Sequence, residues 1–224
     1  MHKSLTGLLL LAGSPLLVNA EPLTTSEKPY YVKLYGGASL LGDQDFNQQG
    51  VSGVAAGATG KGSFDAGWGF GGALGYNLTN NFSTEVAWDY FTNGAKATFS
   101  DGTRFDGDGD FSSSIIFLNG IYKFDPVTTY RIRPYVGAGV AYVDEIDFDT
   151  KRNGVETSYS TDGEFAWQVL AGAEYPLNDR WSLNADARYI NAGSQDLKNE
   201  AGTGTIRNID YNISSLMLGV SYKF

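Results

Sequence analysis

From Tyr30 onward the chain repeats one pattern: apolar residues at every second position, with small or polar residues between them. Phe64 to Leu78 shows it most clearly. Phe64, Ala66, Trp68, Phe70, Leu74, Tyr76 and Leu78 share one phase; Asp65, Gly67, Gly69, Gly71, Gly75 and Asn77 share the other. Successive side chains of a strand point to opposite faces, so this period of two predicts strands with one apolar and one polar face. Seven further segments repeat it, near residues 30–40, 82–90, 114–124, 131–142, 164–175, 181–190 and 215–224. In the 114–124 segment the alternation is blurred by Ile115, Phe117 and Ile121.

The connections between these segments alternate in length. Thr79–Asn81, Asp125–Tyr130 and Pro176–Arg180 are short, whereas Gly42–Ser63, Thr92–Asp110, Asp144–Gly163 and Asn191–Asp210 are long. A soluble sandwich has no reason to sort its loops this way; an outer-membrane barrel does, with tight periplasmic turns and longer external loops. Aromatic residues on the apolar phase support the same reading. Tyr76, Tyr122, Tyr175 and Trp181 fall toward the short-turn end and Trp68, Trp88 and Trp167 toward the long-loop end, with aliphatic residues between. Two such girdles mark the two interfaces of a bilayer. The expected fold is therefore all-β: an eight-stranded antiparallel transmembrane β-barrel with short periplasmic turns and four long extracellular loops.

The start of the chain fits this destination. Lys3, the apolar run from Leu5 to Val18 and the small-residue end at Ala20 form the pattern of a cleaved secretory signal. The expected layout is a signal peptide over 1–20, a short periplasmic segment over 21–29 and the barrel over 30–224. Beyond residue 20 no apolar run is long enough for a transmembrane helix. Without the signal, 15 basic side chains face 25 acidic ones, a balance that excludes a general nucleic-acid binder. There is no cysteine, and the lone histidine, His2, lies in the signal. Histidine-based hydrolysis, thiol chemistry and zinc catalysis are thereby excluded, and neither an enzyme nor a bound cofactor is expected.

Gly67–Tyr90, the run Arg133-Pro134-Tyr135-Val136-Gly137-Ala138-Gly139 and the terminal Leu216–Phe224 resemble the OmpA-like, opacity-type family of small outer-membrane barrels. The stretch Trp181–Ile190 also resembles OmpW-like barrels, which pass small apolar molecules. The first resemblance implies residence in the outer membrane of a Gram-negative bacterium, among outer-membrane lipid and lipopolysaccharide. It further implies that Leu218, Val220, Tyr222 and Phe224 are the signal read by the barrel-assembly machinery, after delivery by periplasmic chaperones.

Charged residues on the polar phase would lie inside such a barrel. Lys33, Glu85, Lys123, Arg133, Glu174 and Lys223 fall toward the short-turn end, and Asp89, Asp186 and Arg188 higher. An eight-stranded barrel is just wide enough for side chains to fill. Buried charges demand partners, so these nine are expected to form an ionic network that plugs the interior. Asp106-Gly107-Asp108-Gly109-Asp110 has the spacing of a calcium loop but Phe117 at its twelfth position, so it reads as an acidic turn. The third long connection is the most acidic, with Asp144, Glu145, Asp147, Asp149, Glu156 and Asp162 against Lys151 and Arg152. The first, rich in glycine and alanine over 50–62, is expected to be mobile. The function expected is envelope integrity and surface interaction through the loops, the surface partner being unidentified; a narrow channel for small apolar solutes is the alternative.

Overall fold

The structure, a computed structural model, describes residues 28–127, 131–152, 155–200, 202 and 204–224; the expected signal peptide and residues 21–27 lie outside them. The described residues form eleven strands: β1 (Tyr30–Leu41), β2 (Gln44–Gln49), β3 (Thr59–Phe64), β4 (Gly67–Asn77), β5 (Phe82–Phe99), β6 (Arg104–Lys123), β7 (Arg133–Arg152), β8 (Val155–Thr161), β9 (Glu164–Pro176), β10 (Trp181–Asn199) and β11 (Thr205–Lys223). Every pairing is antiparallel. The ladder runs β1–β4–β5–β6–β7–β9–β10–β11 and returns from β11 to β1, so the sheet closes on itself. The closing seam runs from Tyr31 opposite Lys223 to Leu41 opposite Ile213. From Tyr31 to Leu41 closure leaves no open edge, which is what a sheet in hydrocarbon requires.

Over the lower part of the ring the alternation sorts side chains as a bilayer demands. Leu34, Leu74, Val86, Leu118, Val140, Leu183 and Leu218 are exposed on the outer wall, whereas Lys33, Glu85, Asp89, Asn119, Gln168 and Arg188 are buried inside it.

Above the upper aromatic girdle the sorting reverses. In β5 the apolar set leaves the outer positions at Trp88 and Tyr90 and moves inward to Phe91, Ala95, Ala97 and Phe99, while Lys96 and Thr98 face outward. The same change occurs in β7 after Tyr142, in β10 after Tyr189 and in β11 on the amino-terminal side of Ser214. Ile115, Phe117 and Ile121, which blur the pattern in sequence, all point inward and are buried. Inside the upper part, Phe111 packs on Phe64, Phe148 and Tyr211 at ring separations of 5.4, 5.7 and 5.9 Å. The outer wall has met water there, and the interior has become an ordinary hydrophobic core.

This reversal explains where the expected loops went. The long connections are largely strand: β5 and β6 meet in a tight turn at residues 100–103, and β7 continues to Arg152, pairing with β8 from Ile146 onward. The first connection, expected to be mobile, instead folds as the β2–β3 hairpin. It pairs with β11 on one side and β5 on the other, with Val51 and Ala58 buried against the core. Its inward residues Phe46 and Val51 supply the burial that a glycine-rich reading overlooks. Arg131, read as part of a strand, sits in the turn between β6 and β7 with φ of 57°.

The level of the reversal is testable by placing a charge on either side of it. Leu118→Arg, on the outer wall midway between the girdles, should lower unfolding stability by about 2–4 kcal/mol. Thr98→Arg, equally outward but above the girdle, should change it by no more than about 0.5 kcal/mol. Urea unfolding in lipid vesicles, followed by tryptophan fluorescence, measures both; equal losses would refute the assigned boundary.

Candidate functional site: the interior ion network

Seven of the nine charged residues assigned to the interior are buried there in two groups; Lys223, its side chain 24% exposed, joins the lower group at its edge. The upper group joins strands from opposite sides of the ring. Asp89 on β5 accepts from Arg188 on β10 at 2.8 Å; Arg188 also donates to Asp186 at 2.5 Å, and Asp186 accepts from Lys33 on β1 at 3.1 Å. Asp89 is fully enclosed.

Three tyrosines that share the inward phase complete the network. Tyr35 donates to Asp89, Tyr135 donates to Asp186 at 2.8 Å, and the Arg188 guanidinium lies 4.0 Å from the centre of the Tyr35 ring. Tyr35 shares the polar phase of its strand with Lys33. The available signal was phase: Tyr31, Tyr35 and Tyr135 fall on the polar side of their strands, while the girdle tyrosines fall on the other.

The lower group centres on Glu174 of β9. Its carboxylate lies 2.5 Å from Lys223 and 3.7 Å from Lys123, and accepts from Ser182 at 2.8 Å. Lys123 also donates to Asn77 at 3.2 Å and lies 4.7 Å from the Tyr31 ring centre. Glu85 is held differently from expectation. It accepts from the Tyr31 hydroxyl at 2.7 Å, with no cation within 4 Å among the described residues. Arg133 stands apart: its guanidinium reaches the carbonyls of Phe124 and Asn80 at the short-turn rim and braces two turns.

Together with Lys223 the two groups hold four acids and four bases, so their formal charges balance. The void left among Tyr31, Lys33, Glu85, Lys123 and Glu174 is about 10 Å³, room for about one water. Beside the network, Gln168 donates to Asn119, which stands opposite Glu85, at 2.7 Å.

The aromatic residues assigned to the girdles lie on the outer wall. Trp181 packs against Tyr222 at 4.8 Å and Tyr76 against Tyr30 at 5.0 Å, while Tyr122 and Tyr175 continue the lower ring. Trp68 and Trp88 form an upper cluster with Phe70 and Tyr90, and Trp167 packs on Tyr189 at 5.7 Å. Leu218, Val220 and Tyr222 share the outer face of the closing strand; Phe224 follows its last residue, and the Phe224 amide donates to the Tyr30 carbonyl at 2.9 Å.

The acidic crest is the third feature. Asp110, Glu145, Asp147 and Asp149 gather on β6 and β7 above the upper girdle, around a cavity of about 260 Å³. The side chains of Asp106, Asp108, Lys151, Arg152 and Glu156 lie outside the described set. Burial, together with the charges of Asp149, Glu200, Glu145 and Asp110, raises the Asp147 carboxyl to about 6.

A closed antiparallel sheet with a lipid-ready outer wall and a filled polar interior defines an outer-membrane β-barrel. Residues 6–224 match the outer membrane protein beta-barrel domain family, and the chain belongs to it. The chain is 26% identical to the outer membrane protein PagN of Salmonella typhimurium, over 94% of its own length and 96% of that protein. It is 30% identical to the outer membrane protein AlkL of Ectopseudomonas oleovorans, over 67% of its own length and 65% of that protein. The solved structure of OprG from Pseudomonas aeruginosa superposes with a TM-score of 0.66 at 17% identity, covering 90% of this chain and 99% of that one. The protein is an outer-membrane barrel of a Gram-negative bacterium.

Two outcomes follow. Arg188→Ala strands the enclosed Asp89 and should cost about 3–5 kcal/mol. Asp89→Asn combined with Arg188→Gln should recover a large part of that loss in a double-variant cycle of unfolding free energies; additive losses would mean that the pair is not coupled. For Asp147 the sign runs the other way. A carboxyl held up to about 6 in the folded state is strained when ionised, so its unfavourable contribution appears as pH rises through 6 and disappears toward pH 4. Asp147→Asn should therefore stabilise the barrel at pH 8 by about 1 kcal/mol or less, given partial exposure, and leave stability unchanged at pH 4. Thermal scans of both proteins at the two pH values check this.

Proposed function

We propose that the chain is an eight-stranded transmembrane barrel, closed to solutes, that supports the envelope and presents an acidic crest to partners at the cell surface. The short turns face the periplasm and the four extended hairpins face outward. The observation that carries this reading is the filled interior: an ion network of four acids and four bases below and a packed aromatic and aliphatic core above, with Ile115, Ile146, Phe148, Ile190 and Leu197 completely buried. The reading is non-enzymatic, since residues 21–224 contain neither histidine nor cysteine. Its assembly partners are periplasmic chaperones and the barrel-assembly machinery, the latter engaging Leu218, Val220, Tyr222 and Phe224 on the closing strand. Lipid and lipopolysaccharide surround the outer wall.

One observation favours a second reading, passage of small apolar solutes through the wall. The seam pairs Leu41 with Ile213, and β2 pairs Asn47 with Arg207, yet no ladder pair joins residues 42–46 to 208–212 between them. That unbonded stretch lies beside the apolar upper interior, next to Phe46, Ile209 and Tyr211.

Single-channel recording in planar bilayers separates the two readings, with folding confirmed by a heat-modifiable gel shift. The closed barrel should give a silent bilayer. Reproducible conductance steps would overturn the plug and make solute passage the function.

A further inference from the structure

The polar interior ends close to a break in the wall. β1 pairs with β4 as far as Ser39 opposite Gly67, and β2 pairs with β3 from Gln44 opposite Gly62. Among the described residues no ladder pair joins 40–43 to 63–66 between them. The chain turns a corner there, from β3 into β4 through Asp65 and Ala66, on the water side of Trp68. Lys96 meets Asp65 at this corner at 3.0 Å, with both side chains more than half exposed. Asp43 closes part of the break by accepting from the Phe64 amide at 3.3 Å.

Two inward residues of β5 stand between the corner and the ion network. Asn93, 1% exposed, is the outer one. The Ser39 hydroxyl donates to its side-chain carbonyl at 2.9 Å, and its amide donates to the backbone carbonyls of Ser39 at 3.1 Å and Asp65 at 3.0 Å. This one side chain therefore ties β1, β5 and the corner together from behind the break. Phe91 is the inner one, set between Asn93 and the fully enclosed Asp89. Opposite both, β4 offers only glycine. A Cβ on Gly67 would come within 2.7 Å of the Asn93 amide nitrogen, and one on Gly69 within 2.5 Å of the Phe91 ring. The amide and the ring themselves fill the space that β4 leaves.

Two ways lead from the ion network to the water above the upper girdle. The one through the top passes Phe111, Ile146, Phe148 and Tyr211, all buried. The one through the corner runs from Asp89 to Asn93, roughly 14 Å of strand at about 3.4 Å per residue, and meets one apolar side chain. Polar solutes lose least where hydrogen-bonding groups replace water, which favours the corner. The unbonded stretch on the far side of β2 is a different opening, because Phe46, Ile209 and Tyr211 lie behind it.

We propose that Phe91 and Asn93 form the gate of the polar interior. When the Asn93 amide releases Asp65 and the Phe91 ring turns off Gly69, water and small ions reach Asp89 and Arg188 from the corner beside Lys96. The proposal rests on the closed-barrel reading above and places the seal in these two side chains, not in the ion pairs beneath them.

Planar-bilayer recording of variants tests the gate. The unaltered barrel should be silent, and Phe91→Ala and Asn93→Ala should each give discrete conductance steps. Phe148→Ala, an equal truncation in the upper core, should stay silent. Asn93→Ala, which keeps the apolar core intact, covers the case in which Phe91→Ala fails the gel-shift test for folding. Thiol labelling gives a second readout, since the chain has no cysteine of its own. A small charged methanethiosulfonate reagent should modify Ser39→Cys at least about tenfold faster when Asn93→Ala is also present. Ser113→Cys, buried beneath the crest, should react at an unchanged rate. Corner variants that fold, stay silent and leave residue 39 protected would overturn the gate while the closed barrel stands. Steps from Phe148→Ala equal to those of the corner variants would overturn it too. Steps from the unaltered protein would refute the closed barrel itself, and the gate with it.

Discussion

The constraint on which everything else depends is that a backbone in hydrocarbon must satisfy its own hydrogen bonds. A sheet meets it only by joining its first strand to its last, and here that join is the ladder between β1 and β11. The two strands approach closely enough that a Cβ on Gly37 would run into the Leu216 carbonyl, and one on Gly219 would come within 2.6 Å of the Leu34 carbonyl. The seam is completed at the chain end, where the Phe224 amide bonds to Tyr30 and the two rings pack at 6.1 Å. Closure then fixes the interior: inward side chains from eight strands meet in a space that they must fill themselves.

What fills that space changes with height, and the change follows the medium outside. Opposite hydrocarbon, the inner positions hold Lys33, Asp89, Asp186 and Arg188, with tyrosine hydroxyls taking up the remaining acceptors. Opposite water, the inner positions hold Phe91, Phe148, Ile190 and Tyr211. A buried ion network of this kind is not a simple source of stability, because desolvation offsets much of the attraction. Its firmer role is register: Arg188 reaches Asp89 across the ring only when β5 and β10 stand at the right heights, and a slip would enclose an unpaired charge.

The lower part of the molecule was largely legible in the sequence because a bilayer imposes alternation of strict phase. Trp88 and Asp89, or Leu183 and Asn184, declare their faces by type alone. The inward charges were legible for the same reason, but their pairing was not. Phase places Glu85 and Asp89 on one face without saying that Asp89 meets Arg188 from across the ring while Glu85 accepts from the Tyr31 hydroxyl. Arg133 shares the phase and still escapes the network, since at the rim a long side chain can turn to backbone carbonyls. The upper part was misread as loops because its apolar set changes face. A pattern that exchanges sides at Trp88–Phe91 looks like an interruption when it is a continuation in another solvent.

That continuation bears on how the crest would meet anything outside the cell. β5, β6, β7, β10 and β11 run without a break from the lipid-facing wall into the exposed hairpins, and their ladders continue with them. A crest on such a support is a stiff platform, not a set of tethered loops. A partner docking on it would forfeit little of its binding free energy to ordering the surface beneath. A pull on the hairpins would be carried down the strands into the membrane.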